Sequence, residues 1–600
     1  MSLSRPVTVW FGPEESSLFG ALHMPAVPTR GAVVLCPPLG REYAYSHSTF
    51  VQLASQLTQL GFAALRFDYR STGDSFDRTA DRSEARGFAD DVKHAVDFVR
   101  TTGVAQVAVV GMRLGANFAS VQRDTDPVDA VVLWDPCPTG RSFLRGQRAL
   151  ALFAGVRVAD EDAATLDLPG FKVSPEMARE ISGLDLLAGE PGSVEAGTYS
   201  NKVLLLTRSE RVADHKLVDR FDLPHVVRRE VKGQPELLDV HDDWPTVPAE
   251  GIATVAGWLD EVMPRSGSEM AVPNRSEITV EIPSAEPSPS AAPGGGTMLI
   301  RERAVWLGPA GLFGIETEPV LGGFGPVCVF VSVANEHRIG PGRLWVQLSR
   351  RLAAEGFRCV RIDVSGFGDS PARDGRLDQP VHSISAIEDV LDTTLAVSPD
   401  DPGNVVLFGL CSSGYQILEA ALSLSARGVC ALNPSVKFPP PEMASGGPMD
   451  DRRRFCLPVI RPRSAPREPR AVIWLKRRFP TLATKLGRSE QMLVWRSRSV
   501  IGHYRNGPGR RLLDLAQAGT DVLLICGPAE MQLFSESGLG FVRRGYRKEH
   551  LQVEAILTLD HGLFPARDRE QVADLILDHV LGEFHRDAEP AGPAEREAAH

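Results

Sequence analysis

The sequence predicts two consecutive α/β domains, each a mostly parallel β-sheet flanked by helices. At 600 residues, the chain is too long for a single hydrophobic core. In both halves, short apolar runs typical of buried strands alternate with segments of helical period, which is the pattern of a parallel sheet covered on both faces. The second half also repeats the first in order and spacing.

The repeat consists of short matching segments that keep the same order in both halves. The pairs are Val9–Pro13 with Val305–Pro309, Leu18–Gly20 with Leu312–Gly314, Phe50–Leu53 with Trp345–Leu348, Gly61–Asp68 with Gly356–Asp363, Gly73–Ser75 with Gly368–Ser370, Gly111–Arg113 with Gly409–Cys411, and His241–Pro245 with His561–Pro565. We therefore predict a tandem duplication.

Composition sets the predicted domain boundaries. Residues 264–296 separate the repeats, and the part from Pro283 to Gly296 is rich in Pro, Ser and Gly, which predicts a flexible linker. The predicted domains are therefore residues 1–263 and 297–582. Residues 583–600 are predicted to form a disordered tail.

Each half is predicted to contain the same series of elements after an early strand pair. In the first half these are strand Ala32–Leu35, helix Phe50–Leu60, strand Ala63–Asp68, helix Phe88–Thr101, a strand before Gly111, strand Ala130–Trp134 and strand Lys202–Leu206. In the second half they are strand Val327–Val331, helix Trp345–Glu355, strand Cys359–Asp363, helix Ser385–Leu395, strand Val405–Phe408, strand Gly428–Leu432 and strand Asp521–Cys526.

Charge and composition exclude several classes of protein. The net charge of −11 argues against general nucleic-acid binding. No apolar run approaches the roughly 20 residues of a membrane helix, and the first residues lack the pattern of a signal peptide. The eight cysteines are scattered without a close CxxC pair. We therefore predict a cytoplasmic protein with reduced thiols and without a zinc site, a disulfide framework, a cofactor or a membrane partner.

The predicted chemistry centres on the segment from Val405 to Tyr415. A buried strand runs into Gly409, and a segment of helical period begins at about Tyr415. Cys411 lies in the turn between them, with Gly409 at −2 and Ser413 at +2. This small-x-nucleophile-x-small pattern is typical of a nucleophile elbow. The alternative interpretation of Cys411 is a small buried hydrophobic residue.

Beyond this turn, the chain resembles a known fold. The segments that carry the resemblance are Leu35–Tyr43, Arg66–Tyr69, Gly111–Ala116, Leu133–Pro136, Gly340–Trp345 and Gly409–Tyr415. Their order looks like the α/β-hydrolase fold, and both halves resemble the bacterial exosortase A system-associated hydrolases, which are related to the serine aminopeptidase group. The resemblance covers both domains apart from an insert at about 437–511, where the fold normally has a lid.

The resemblance implies partners for Cys411. His561 follows a predicted strand about 150 residues further on, where the fold carries its histidine base, and Glu530 follows strand Asp521–Cys526, where the fold carries the acid. A surface histidine and a solvated glutamate are the alternatives, and Glu536 is a weaker candidate acid. The oxyanion hole would use the backbone N–H groups of Ser412 and Ala334.

The first half departs from this pattern at the nucleophile. Arg113 occupies the position of Cys411, and a guanidinium cannot act as a nucleophile. Glu210 and His241 match Glu530 and His561, so we predict a degenerate first site. The alternatives for this site are a purely structural role, binding of an anion by Arg113 at a helix N-terminus, and pairing of Arg113 with Glu210.

Three functions remain open at this stage. The first is an ester or thioester hydrolase or acyltransferase with a Cys-His-Glu triad, for which the similar triads of dienelactone hydrolases also suggest lactone opening. The insert at 437–511 is rich in Arg and Lys, for which the first interpretation is a solvated basic lid. The functional alternative is a small-molecule acyl substrate carried by coenzyme A or an acyl-carrier protein. The second is a non-catalytic pair that binds a ligand or a biosynthetic partner. The third is a first half that regulates the second.

Overall fold

The computed structural model describes most of the chain. The described residues are 5–76, 85–122, 128–153, 166–168, 170–188, 202–210, 215–239, 245–265, 267, 269–273, 275–283, 297–333, 336–373, 384–434, 508–531, 546–548 and 550–584. Within these residues, no helix has both the length and the apolar character needed to cross a membrane.

The first domain contains an eight-stranded sheet and a small hairpin. Its strands are β1 (Val7–Phe11), β2 (Leu18–His23), β3 (Gly31–Cys36), β4 (Phe62–Phe67), β5 (Val107–Met112), β6 (Ala130–Trp134), β7 (Leu166–Leu168), β8 (Phe171–Val173), β9 (Val203–Arg208) and β10 (Val226–Val231). Its helices are α1 (Arg41–Gln59), α2 (Ala85–Thr101), α3 (Leu114–Gln122), α4 (Gly140–Phe153), α5 (Pro175–Gly183), α6 (His215–Arg220), α7 (Gln234–Leu238) and α8 (Ala249–Val262).

The second domain contains a ten-stranded sheet. Its strands are β11 (Glu277–Pro283), β12 (Thr297–Leu307), β13 (Leu312–Pro319), β14 (Phe324–Val331), β15 (Phe357–Ile362), β16 (Val405–Leu410), β17 (Gly428–Leu432), β18 (Asp521–Cys526), β19 (Tyr546–Lys548) and β20 (Leu551–Ala555). Its helices in the described residues are α9 (Leu344–Ala354), α10 (Ile384–Val397), α11 (Cys411–Leu424), α12 (Pro508–Gln517) and α13 (Ala566–Phe584).

The two sheets have the same strand order over their shared strands. The first runs β1-β2-β4-β3-β5-β6-β9-β10, and the second runs β12-β13-β15-β14-β16-β17-β18-β20 with β11 and β19 added at its edges. In the first sheet the strands from β4 to β10 along this order are parallel, and β1 and β2 are antiparallel to their neighbours. In the second sheet the strands from β15 to β20 along this order are parallel, and β12 and β13 are antiparallel to their neighbours. The predicted fold class, two mostly parallel sheets flanked by helices, is confirmed.

Apolar side chains on both faces of each sheet explain why these strands are parallel and central. A strand that is covered by helices on both sides must be apolar at nearly every position. Strand β5 and strand β16 are buried at all six positions. Alternate residues enter different cores, because Val405 and Leu407 pack on one face of the second sheet and Val406 and Phe408 pack on the other.

The expected linker at 264–296 is wrong for part of its length. Residues Glu277–Pro283 form β11, which pairs antiparallel with β12. In this segment Ile278, Val280 and Ile282 alternate with polar residues and pack in apolar clusters, so the period of two outweighs the nearby Pro and Ser. Residues 284–296, the tail from 585 and His241 lie outside the described residues.

Two other boundaries also differ from those expected. The predicted insert at 437–511 lies mostly outside the described residues, but its last four positions begin α12. The second domain continues to Phe584 instead of residue 582, because the Phe584 ring is buried in the core at the end of α13.

The two domains contact each other directly. Trp10 and Phe19 of the first sheet share an apolar cluster with Phe313 and Ile315 of the second. Phe19 and Phe313 occupy matching positions in β2 and β13, so the domains meet through corresponding parts of their sheets. A first half that regulates the second, the third function left open by the sequence, requires a direct contact of this kind.

Candidate active site

The turn after β16 places Cys411 in a left-handed backbone conformation. Its φ is +52°, which is uncommon for a non-glycine residue and occurs where surrounding structure enforces it. A Cβ on Gly409 would lie 2.6 Å from the carbonyl carbon and oxygen of Ser413, so only glycine fits at that position. The backbone N–H of Leu410 donates a hydrogen bond to Ser413 Oγ at 3.0 Å, which closes the turn. Close backbone approach therefore requires glycine at position 409, and Ser413 contributes the hydroxyl that closes the turn.

Cys411 lies beside His561, and His561 lies beside Glu530. The distance from Cys411 Sγ to His561 Nε2 is 3.1 Å, and the distance from His561 Nδ1 to Glu530 Oε1 is 2.7 Å. Cys411 is partly exposed, the His561 side chain is about half exposed at 48%, and the Glu530 side chain is nearly buried. The structure thus brings together all three predicted side chains in the order thiol, imidazole, carboxylate.

The contacts around His561 stabilise its cationic form. Hydrogen bonds with Cys411 and Glu530 raise the pKa of His561 to about 10, although partial burial opposes this shift. Burial raises the pKa of Glu530, but the hydrogen bond with His561, a backbone hydrogen bond and the charge of His561 together outweigh burial and leave that pKa below its usual value. The arrangement can hold a proton on the imidazole, next to a sulfur atom that solvent can reach.

The other cysteines that the structure describes in this domain have a different environment. Cys328, Cys359, Cys430 and Cys526 are all buried. Burial raises the pKa values of the Cys359, Cys430 and Cys526 thiols well above their usual range, which opposes thiolate formation. Among the described cysteines, Cys411 is the partly exposed one and the one whose sulfur contacts a histidine.

Asn433 connects the two loops that carry the acid and the histidine. Its Oδ1 accepts a hydrogen bond from Gly527 N–H at 2.8 Å, and its Nδ2 donates to the carbonyl oxygens of Asp560 at 3.0 Å and His561 at 3.3 Å. Asn433 is fully buried and directly follows β17. The sequence analysis missed this residue, although the match between Asn433-Pro434 and Asp135-Pro136 could have indicated it.

The oxyanion candidates are described only in part. Ser412 is buried in the first turn of α11, directly after Cys411. Its backbone N–H belongs to the group of N–H donors that the start of a helix leaves without an intrahelical partner. Ala334 lies outside the described residues. The neighbouring residues Val333 and Glu336 exchange two backbone hydrogen bonds, of 3.1 and 2.8 Å.

The corresponding turn of the first domain has the same backbone but a different role. Arg113 has a φ of +54°, matching Cys411, and its guanidinium lies 3.3 Å from Glu42 and 3.4 Å from Asp135. Glu210 is exposed and accepts a hydrogen bond from Gly233 N–H. The hypothesis that Arg113 pairs with Glu210 is therefore wrong.

The charges around Arg113 do not favour the anion-binding hypothesis. The guanidinium already lies beside two carboxylates, of which Asp135 also pairs with Arg208, and these carboxylates would repel an anion. The sequence could not indicate this, because Glu42 comes from α1, which is 71 residues away along the chain. In the part of the chain that the structure describes, no group of three or more His, Cys, Asp or Glu residues is placed to hold a metal ion.

Comparison with known proteins agrees with this architecture. Residues 329–575, which include Cys411, Glu530 and His561, match the Alpha/beta hydrolase family. The matched residues span most of the second domain. No curated protein matches the sequence.

Several solved structures are similar to parts of the chain. Est1E from Butyrivibrio proteoclasticus has 14% identity, covering 43% of this chain and 97% of that chain, with a TM-score of 0.31. Alpha/beta hydrolase domain-containing protein 10 from mouse has 15% identity, covering 42% and 97%, with a TM-score of 0.31. The Pyrococcus furiosus esterase PF2001 has 15% identity, covering 43% and 91%, with a TM-score of 0.31.

The raised pKa of His561 predicts how stability depends on pH. The pKa of His561 is about 10 in the folded state, whereas its ordinary value is 6.5. The resulting stabilisation is complete below pH 6.5 and is lost as the pH rises through about 10. We expect the difference in unfolding free energy between the wild type and His561→Gln, measured in urea, to be larger near pH 6 than near pH 10. His215→Gln, on an exposed part of α6, is the control. A difference that does not change with pH would contradict this assignment.

Proposed function

We propose that this protein is a hydrolase or acyltransferase that cleaves an ester or thioester through Cys411, His561 and Glu530. One observation carries the proposal. A thiol at a left-handed turn after a buried strand lies 3.1 Å from an imidazole nitrogen, and the other nitrogen of that ring lies 2.7 Å from a carboxylate. This is the arrangement of an activated nucleophile, its base and the group that orients the base.

In the first half of the proposed reaction, an acyl group moves to Cys411. The sulfur attacks the carbonyl carbon and forms a C–S bond, while His561 Nε2 holds the proton that came from the thiol. The carbonyl oxygen becomes an oxyanion, which the Ser412 N–H and a second N–H, proposed to be that of Ala334, would stabilise. The C=O bond then re-forms, the bond to the leaving group breaks, and the leaving alcohol or thiol takes the proton from His561.

In the second half, water or another acceptor removes the acyl group. His561 Nε2 takes a proton from the acceptor as its oxygen, sulfur or nitrogen atom attacks the acyl carbon. The C–S bond breaks, and the thiolate of Cys411 is restored beside the imidazolium. Glu530 stabilises this cation throughout, and Asn433 keeps the loops of both residues in register.

The substrate proposed for this site is an acyl group on an anionic carrier, such as coenzyme A or an acyl-carrier protein. The chain from 437 to 511 is rich in Arg and Lys, although the protein as a whole has a net charge of −11. In the sequence this basic segment follows β17 and Asn433, which end at the edge of the sheet where Cys411 lies. An anionic carrier would be attracted to that edge.

Turnover of simple substrates tests the proposal. We expect the wild type to hydrolyse p-nitrophenyl acetate and an acetyl thioester, and His561→Gln to lower kcat by about 10²–10⁴-fold, because the general base is lost. His215→Gln should retain the wild-type rate. No turnover of either substrate by the wild type would contradict the proposed activity and favour the alternative, a non-catalytic pair that binds a ligand or partner.

A further inference from the structure

We propose that the first domain acts as a positioning element for the active site of the second. It holds the loop Glu336–Arg343, which connects β14 to α9, and this loop will be called the β14 loop. The inference rests on the proposed function, because in an α/β-hydrolase site the segment after the corresponding strand supplies one of the two oxyanion donors. The donor proposed here, Ala334, lies two residues before the β14 loop in the sequence.

Arg343 makes the most extensive of the contacts between this loop and the first domain. Its guanidinium donates hydrogen bonds to the carbonyl oxygens of Ser71 at 2.9 Å, Gly73 at 2.8 Å and Ser75 at 2.6 Å. These three residues belong to the glycine-rich turn after β4. Arg343 itself has a φ of +68°, a strained conformation that persists only where contacts enforce it. The first domain therefore supplies contacts that can hold the end of the β14 loop.

Arg338 fixes the middle of the loop. Its side chain is 1% exposed and forms ion pairs with Asp74 of the first domain at 2.7 Å and with Asp363 and Asp369 of the second at 2.9 and 3.0 Å. Its backbone N–H also donates to Asp363 Oδ1 at 2.6 Å. Without Asp74, one of the three carboxylates around this buried cation would be lost.

His337, the neighbour of Arg338, packs against the first domain as well. Its ring stacks on the ring of His47 with centroids 4.3 Å apart, and its Nε2 lies 3.3 Å from Tyr43 Oη. Tyr43 in turn donates a hydrogen bond to Asp68 at 2.6 Å. Three residues of the loop, at 337, 338 and 343, are thus held by side chains or carbonyl groups of the first domain.

The first domain also reaches the loop that carries the histidine. The Arg41 guanidinium, at the start of α1, lies 5.0 Å from the centre of the Phe564 ring, three residues after His561. Phe564 N–H is held by Asp560 within the same loop. The start of α1 therefore lies against both loops that frame Cys411.

The contacts of Arg343 run in one direction between the two halves. Its counterpart in the first half is Ser48, because Phe50 and Trp345 occupy matching positions. The first domain has Arg113 at its own elbow, whereas the domain whose loop it supports has the thiol. A domain that lacks a nucleophile but holds the loop of its neighbour has the geometry of a built-in support for catalysis.

The substitution Arg343→Asn tests this role, since asparagine tolerates a left-handed conformation but cannot reach the three carbonyl groups. We expect kcat for p-nitrophenyl acetate to fall by about 10²-fold with little change in KM, because a misplaced oxyanion donor weakens transition-state binding. Alkylation of Cys411 by iodoacetamide should keep its wild-type rate, because that reaction develops no oxyanion. Amide hydrogen exchange at 336–343 should become faster.

Two further variants complete the experiment. Lys172→Ala removes an exposed ion pair with Glu570 between the same two domains and should leave kcat unchanged. Tyr43→Phe removes the hydroxyl contact from the first-domain side and should lower kcat in the same direction as Arg343→Asn. If Arg343→Asn does not fold, the kcat of Tyr43→Phe is the measurement that tests the positioning role.

The failure of this inference and that of the proposed function can be told apart. If the wild type turns over the ester and a folded Arg343→Asn variant has the same kcat, the positioning role is overturned and the proposed function stands. If the wild type hydrolyses no ester, the proposed function fails, and hydrogen exchange alone tests whether the first domain holds the β14 loop. Faster exchange at 336–343 in Arg343→Asn would then show that the contact holds the loop, and unchanged exchange would contradict this.

Discussion

Replacing Cys411 with alanine is expected to lower kcat for ester hydrolysis on the order of 10⁵-fold or more. Residues of a catalytic triad act as a unit, and removing the nucleophile leaves only the contribution of binding and the oxyanion hole. Steady-state hydrolysis of p-nitrophenyl acetate measures the loss. Cys411→Ser places a hydroxyl group in reach of His561 Nε2. Its rate should lie between that of Cys411→Ala and that of the wild type.

Another cysteine of the same sheet provides the control for this substitution. Cys430 lies in β17 and is fully buried, so Cys430→Ala removes packing but no reactive group. It should retain the wild-type kcat. If Cys411→Ala hydrolyses the ester as fast as the wild type, another group is the nucleophile and the proposed reaction is wrong.

Replacing Asp74 with alanine is expected to lower the free energy of unfolding by about 3–5 kcal/mol. Asp74 is fully buried between the domains and forms ion pairs with Arg338 and Arg361, whose side chains are 1% and 0% exposed. These two cations hold the pKa of Asp74 below its usual range despite burial. Arg338 keeps Asp363 and Asp369, and Arg361 keeps Glu302. The loss of the Asp74 carboxylate still leaves positive charge uncompensated in this buried cluster, which accounts for the size of the effect.

Urea unfolding of the full chain measures this effect. Asp97→Ala is the matched control, because Asp97 pairs with Lys93 on an exposed face of α2 and its loss should change stability by less than about 0.5 kcal/mol. If Asp74→Ala lies within the range of this control, the domain interface does not depend on the buried ion pairs.

The same residues suggest why the interface resembles that of a symmetric dimer. Arg361 pairs with Asp74 across the interface, and Arg66 pairs with Asp369 in the opposite direction. The two arginines match each other in the repeat, and so do the two aspartates. In each pair, an arginine of one domain contacts the matching aspartate of the other domain, as in the isologous interface of a two-fold symmetric dimer.

The proximity of Cys411, His561 and Glu530 could be predicted from sequence because each of them follows a strand that is visible as an apolar run. Cys411, Glu530 and His561 follow β16, β18 and β20, and the carboxyl ends of parallel strands lie at one edge of a sheet. The order of these strands in the chain, together with the fold, was enough to bring the three residues together.

The residues that the sequence did not indicate act through contacts between distant segments. Asn433 bridges two loops that lie about 95 and 130 residues further along the chain. Glu42 replaces Glu210 as the partner of Arg113, and Arg343 reaches carbonyl groups of the other domain. None of these contacts has a local pattern. The strand β11 was missed for a different reason, since nearby Pro and Ser obscured its alternating apolar residues.

The most direct test of the central claim is the mass of the enzyme during turnover. After brief incubation with p-nitrophenyl acetate and quenching in acid, peptide mass spectrometry should locate one acetyl group on Cys411, and His561→Gln should greatly reduce it. Buried Cys359, Cys430 and Cys526 should remain unmodified. Turnover accompanied by an acetyl group on another residue, or by none on Cys411 under conditions where deacylation is slow, would contradict the account.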